Sequence, residues 1–232
     1  MSQTSVNPVK NLIIEIITYL EKNLNNLAER TILDLIKGTD LDKENTNHFK
    51  PNSPPKGQSI QNALSFIKSE DLLPIKKYIY LSIPHLMWNT DNGDFYEKNS
   101  GIGLDYINGN MNTELIGPER GLFTNKQLRL GLFLLEPYIL YDDHKHAAPE
   151  LYLNLSDGTK WRFDHGYWVK RAPGTIIYNE PFKAHAMRVG EKPFFSVWCW
   201  PHSSNRKCVL TQRKKNKLAP SKKQNQIITL MD

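Results

Sequence analysis

Residues 141–158 read YDDHKHAAPELYLNLSDG, and the reading of this stretch decides the fold and the site together. His144, His146, Glu150 and Tyr152 lie close together in it, and each of these residue types can bind a metal or move a proton. In an extended strand alternate side chains share a face, so His144 and His146 project together, as do Glu150 and Tyr152. Two imidazoles and a carboxylate converging on one pocket fit a first-row divalent metal.

Outward from this stretch, everything after residue 112 has the rhythm of short strands cut by turns. Strands are expected at 113–116, 128–135, 139–146, 150–155, 160–163, 167–170, 175–178, 185–188 and 194–200. Gly117-Pro118, Glu136-Pro137, Asp157-Gly158, His165-Gly166, Pro173-Gly174 and Glu180-Pro181 supply the breaks. So many short strands in a row are what a small jelly-roll β-barrel needs.

The N-terminal part reads differently. Asn7-Pro8 is a helix start, and Leu12, Ile13, Ile16, Ile17 and Leu20 recur at helical spacing. Leu27, Ile32, Leu35 and Ile36 continue as a second short helix ending near Gly38. Residues 38–57 are a polar, proline-rich loop, and a helix capped by Ser59 follows. Residues 75–90 are ambiguous between helix and strand, and 93–110 carry too many Gly and Asn for regular structure. The expected class is therefore mainly β, with an N-terminal helical region at 1–112, a barrel at 113–201 and a C-terminal tail at 202–232.

Charge separates along the same lines. Of the 30 Lys/Arg and 24 Asp/Glu behind the net charge of +6, the segment from 202 onward holds eight basic residues and only Asp232. The rest of the chain is close to neutral, and QRKKNKLAPSKKQNQ has no interleaved aromatics for stacking on bases. The tail reads as solvated and flexible, and nucleic acid is not an expected partner. No apolar run reaches membrane-spanning length and no cleavable leader is evident, so a cytoplasmic protein is expected. Cys199 and Cys208 form no CxxC pair and read as reduced thiols.

HKHAAPELYLNLSDG fits the first motif of the cupins, and PGTIIYNEPFKAHAMR resembles the second, with Val189 where an asparagine is often found. That resemblance implies His144, His146, Glu150 and His185 as ligands of one divalent transition metal, with Fe2+, Mn2+, Zn2+ and Co2+ all open. The composite YxxHxHxxxExY, with HAMR, TELIGP and the closing PFFSVWCW, is similar to the cupin-type dimethylsulfoniopropionate (DMSP) lyases. The likeness covers roughly residues 80–201. It implies a carbon–sulfur lyase that eliminates dimethyl sulfide from DMSP to leave acrylate. It also implies Tyr152 as the catalytic base and Tyr141 as a second pocket tyrosine.

A sulfonium is a fixed cation without hydrogen-bond donors, so an aromatic wall suits it. Trp198 and Trp200 alternate onto one face of the last strand, and Tyr178 and Trp88 are further candidates for the wall. Whether the tryptophan face or the Cys199 face of that strand looks inward is open at this level. Another metal-cupin enzyme, such as an Fe(II) dioxygenase, would use the same ligands without a tyrosine base. A ligand-sensing cupin would usually carry a DNA-binding helical module, and the N-terminal helices lack its basic face. A homodimer is compatible with the buried helical stripe.

Overall fold

The computed structural model describes residues 7–45, 49–202 and 205–211. Helix α1 (Pro8–Asn23) starts where its cap dictates: the Asn7 side chain accepts from the N–H groups of Val9 at 2.8 Å and Lys10 at 3.3 Å. Asn26 likewise accepts from the Glu29 N–H at 2.9 Å and starts α2 (Leu27–Lys37). Leu27, expected in the buried stripe, is exposed as the first residue of that helix. The layer continues with α3 (Gly57–Phe66) and α4 (Leu73–Ser82), so the ambiguous stretch is helical before Pro84 and turns into strand only at Trp88. Ser59 does not cap α3. It lies inside the helix and its hydroxyl donates to the Glu136 carboxylate at 2.7 Å.

Among the described residues twelve strands form two sheets. The larger sheet runs β1 (Trp88–Asn89), β2 (Asn110–Gly117), β4 (Leu128–Leu135), β11 (Phe194–Pro201), β6 (Glu150–Asn154) and β9 (Ile176–Asn179), with β3 (Phe123–Thr124) beside β2. The smaller runs β12 (Val209–Leu210), β5 (Leu140–Lys145), β10 (His185–Arg188), β7 (Lys160–Phe163) and β8 (Val169–Lys170). The sheets pack face to face as a jelly roll without closing into one continuous barrel. A short helix, α5 (Leu104–Gly109), leads into β2 from the segment expected to be irregular.

Alternation along the strands makes two cores. Leu130, Leu132 and Leu134 of β4, Leu151 and Leu153 of β6, and Val197 and Cys199 of β11 face the helices, where they meet Ile13, Ile16 and Ile36. Their neighbours Phe133, Tyr152, Trp198 and Trp200 face the smaller sheet and pack with Tyr141, Trp161 and Met187. The tryptophan face of β11 is thus the inward one. Gly131 is required there: a Cβ would lie 1.9 Å from the Thr113 carbonyl oxygen and 2.9 Å from Trp198 Nε1.

Part of the segment expected as a tail from residue 202 packs on the domain. Cys208 is 1% exposed, and β12 pairs with β5 through Val209–Lys145 and Leu210–His144. Residues 212–232, which hold most of the tail's charge, lie outside the described residues. Among the described residues no helix is long and apolar enough to cross a membrane.

A buried ion pair joins β4 to β2. Arg129 of β4 donates to the carboxylate of Glu114 on β2, and the Glu114 side chain is 2% exposed. Arg129→Leu leaves that carboxylate buried without its counterion and is expected to cost about 3 kcal/mol in a urea titration, the order of loss when one member of a buried pair is removed.

Candidate functional site

Strands β5 and β10 of the smaller sheet and β6 of the larger one bring the chemistry-bearing side chains together. His144 comes from β5 and His146 just after it, His185 opens β10, and Glu150 opens β6. The ligand atoms of the three histidines all lie within 4.8 Å of one another. Glu150 Oε2 stands 3.3 Å from Nε2 of His146 and 3.3 Å from Nε2 of His185.

The tautomers are set by the backbone. Nδ1 of His144 faces the Asp142 carbonyl at 2.8 Å, Nδ1 of His146 the Ala148 carbonyl at 2.8 Å, and Nδ1 of His185 the Lys183 carbonyl at 3.1 Å. A carbonyl oxygen only accepts, so each Nδ1 carries a proton and each Nε2 is turned toward the shared space, those of His146 and His185 toward Glu150 Oε2. His185 Nε2 is buried without a hydrogen-bond partner. Three imidazoles whose Nε2 atoms converge, with a carboxylate among them, form a donor set that fits a divalent transition metal.

Glu150 is held from two further sides. Trp200 Nε1 donates to Oε1 at 2.6 Å, and Asn179 Nδ2 donates to Oε2 at 2.7 Å. Burial works to raise this carboxyl, but the imidazoles of His146 and His185 outweigh it and hold Glu150 well below the usual range. Burial, reinforced by the neighbouring imidazoles of His185 and His146, holds His144 well below an ordinary histidine.

Tyr141 and His144 are three residues apart and would face opposite sides of a regular strand. The register between β5 and β10 passes from His185–His144 to Met187–Tyr141, so β5 carries one extra residue, and this bulge turns both side chains inward. Their rings stack at 4.2 Å and 22°, and Tyr106 stacks on the other face of Tyr141 at 4.4 Å and 21°. The Tyr141 hydroxyl pairs with that of Tyr96, and the Tyr106 hydroxyl donates to Asp91 Oδ2 at 2.9 Å. Asp91 Oδ1 in turn accepts from the N–H groups of Gly93 and Asp94.

Glu150, Tyr141, Tyr152, Trp198 and Trp200 line one cavity that opens to solvent. Phe95, Tyr106, Asn112 and Phe133 complete its wall. Burial, then the Glu150 carboxylate beside it, holds the Tyr152 phenol well above the ordinary tyrosine value, and burial does the same for Tyr141.

Two expected wall residues lie elsewhere. Tyr178 faces the helices because Glu150 pairs with Asn179 and Leu151 with Tyr178, which turns Asn179 inward and Tyr178 outward. Trp88 pairs with Thr113 on β2 and is buried among the helix-facing residues, with its indole N–H donating to the Ile83 carbonyl at 3.2 Å. Sequence reasoning missed Phe95, Tyr96 and Tyr106, which sit in a Gly- and Asn-rich segment without periodicity. It also missed Asn112 and Asn179, which sit at the ends of expected strands.

The sequence matches the family described as dimethylsulfoniopropionate lyase over residues 16–196. The chain belongs to the DMSP lyase family. The fold agrees with solved DMSP lyases. DddQ from Ruegeria pomeroyi DSS-3 superposes with a TM-score of 0.67 at 18% identity, covering 89% of this chain and 98% of that one. A chain from the crystal structures of the DMSP lyases RdDddP and RnDddQII gives 0.65 at 19% identity, covering 88% and 98%. No curated protein sequence matches the chain. As a member of the DMSP lyase family, it has a lyase fold with a three-histidine cluster able to hold a metal ion.

Proposed function

We propose that this chain is a metal-dependent carbon–sulfur lyase that converts DMSP to dimethyl sulfide and acrylate, with Tyr152 as the base. The observation that carries this reading is Tyr152 opening onto the same cavity as Glu150, whose Oε2 joins the Nε2 atoms of His146 and His185. A divalent transition ion held by His144, His146, His185 and Glu150 supplies Lewis acidity toward the substrate carboxylate and favours the ionised form of a nearby phenol.

Tyr152 as phenolate takes the proton from the carbon next to the carboxylate. The electron pair of that C–H bond becomes the new carbon–carbon double bond, and the C–S bond breaks with its electrons leaving on neutral dimethyl sulfide. One proton is released to solvent in each turnover. Tyr141, fixed between Tyr106 and His144, sets the wall against which the substrate lies. Trp198 and Trp200 give the sulfonium aromatic faces in place of a carboxylate that would bind it too tightly.

Trp200 has a second task in this reading, because its indole N–H orients Glu150. Trp200→Phe keeps an aromatic face and removes that donor, and is expected to weaken metal affinity roughly 10- to 100-fold, the usual cost of losing an outer partner of a ligand. A competition titration with a chromophoric chelator reads it.

The test of the reaction class is anaerobic. Metal-loaded protein given DMSP without oxygen is expected to yield acrylate by proton NMR. Oxygen uptake with no acrylate would place the chain among oxidative metal enzymes instead.

A further inference from the structure

Asn110 and Asn112 project from the same face of β2, yet their surroundings differ. Asn110 is 0% exposed and fully engaged: Oδ1 accepts the Asp91 N–H at 2.7 Å, and Nδ2 donates to the carbonyls of Asp91 at 2.8 Å and Tyr106 at 2.9 Å. It staples the start and end of the segment that carries Phe95, Tyr96 and Tyr106. Asn112 is 6% exposed and lines the cavity, and its carboxamide makes no hydrogen bond among the described residues.

The carboxamide is therefore open to the cavity and has no protein partner there, which leaves it free to meet a ligand in that cavity. The other polar groups of the cavity are occupied. The Tyr106 hydroxyl is on Asp91, that of Tyr141 on Tyr96, the Trp198 N–H on the Leu132 carbonyl, and the Trp200 N–H on Glu150. Tyr152 stands beside the Glu150 carboxylate.

Position says which end of a ligand Asn112 meets. The histidines and Glu150 come from β5, β10 and β6, whereas Asn112 is on β2, separated from β6 by β4 and β11. Three strand spacings of about 4.8 Å separate β2 from β6. A short molecule whose carboxylate lies at the histidine cluster therefore presents its other end to Asn112. Phe133, the register partner of Asn112 on β4, adds an aromatic ring at that end.

We propose that Asn112 is a specificity-determining residue whose carboxamide oxygen faces the cationic head of the substrate, a sulfonium or an ammonium bearing only methyl groups. Such a head has no N–H or O–H to donate, so it is recognised by ring faces and by the negative end of a dipole. A neutral carboxamide does this without the full charge that would resist release. This assignment rests on the lyase reading above for the placement of the carboxylate.

The test uses two probes of nearly equal shape, 3-(trimethylammonio)propanoate and 4,4-dimethylpentanoate, whose tert-butyl head carries no charge. Their Kd values for the metal-loaded full chain are compared by calorimetry. The parent is expected to prefer the cationic probe, and Asn112→Leu, close in volume, to shrink that preference about five- to tenfold, the scale of one lost polar contact to a charged group. Asn112→Asp is expected to enlarge the preference, and it keeps the proposal testable if the leucine variant does not fold. No preference in the parent, or one that neither variant changes, would overturn the assignment. Dimethyl sulfide release by the parent is assayed separately, so loss of the lyase reading is distinguishable from loss of this one.

Discussion

Tyr152→Phe is expected to lower kcat for dimethyl sulfide release by about 10^2- to 10^4-fold, the range that a positioned base contributes. Metal content should stay at the parent level, because Tyr152 is outside the group formed by the three histidines. The fold should stay as well. The ring remains packed edge-on against Trp161 at 5.1 Å, and only the hydroxyl is removed. Substrate affinity should change little, since the phenol acts on a C–H bond that offers no strong ground-state contact. Without a cation nearby, burial and Glu150 hold this phenol neutral, so the same account expects chelation of the metal to silence the parent enzyme. Full activity in the phenylalanine variant would remove Tyr152 from the mechanism.

His185→Ala is expected to abolish both metal retention and turnover. Losing an outer partner of a ligand costs roughly 10- to 100-fold in affinity, and losing the ligand itself is expected to cost more. Elemental analysis after dialysis reads the first effect. The metal-free parent should also be sensitive to acid. His144 is held well below 6.5 in the folded protein, chiefly by burial. As pH falls through 6.5 the unfolded chain takes up a proton at this position and the folded site does not, so stability drops with acidification. Thermal midpoints of metal-free protein should therefore fall below that pH. Midpoints that rise on acidification would contradict a buried, neutral His144.

Much of the fold was legible because strands buried on two faces still alternate between two chemically distinct cores. The expected boundaries at 128–135, 160–163 and 185–188 coincide with β4, β7 and β10. Turn residues such as Asp157-Gly158 fixed the breaks, and Gly158 has the positive φ of 91° that such a turn requires. The grouping of His144, His146, Glu150 and Tyr152 around one space was likewise readable from spacing.

What escaped depends on contacts distant in sequence. Nothing local in YDDHKH announces the extra residue that turns Tyr141 and His144 to the same side. It emerges only from the register with β10. The faces of Trp88 and Tyr178 are set by pairing with Thr113 and Leu151, which no periodicity within their own short strands reveals. The segment that carries Phe95, Tyr96 and Tyr106 looked irregular because its order comes from contacts distant in sequence, the Asp91 and Asn110 side chains and a backbone bridge from Tyr96 to Cys208. Strand β12 has two residues and exists only through its pairing with β5.

The central claim is that this pocket eliminates dimethyl sulfide beside a metal held by His144, His146, Glu150 and His185. Headspace gas chromatography of the full chain, loaded separately with Fe2+, Mn2+, Zn2+ and Co2+ and given DMSP, tests it most directly. The account predicts dimethyl sulfide matched one-to-one by acrylate with at least one of these ions, and none after chelation. Absence of dimethyl sulfide with all four, in protein shown to hold the metal, would contradict it.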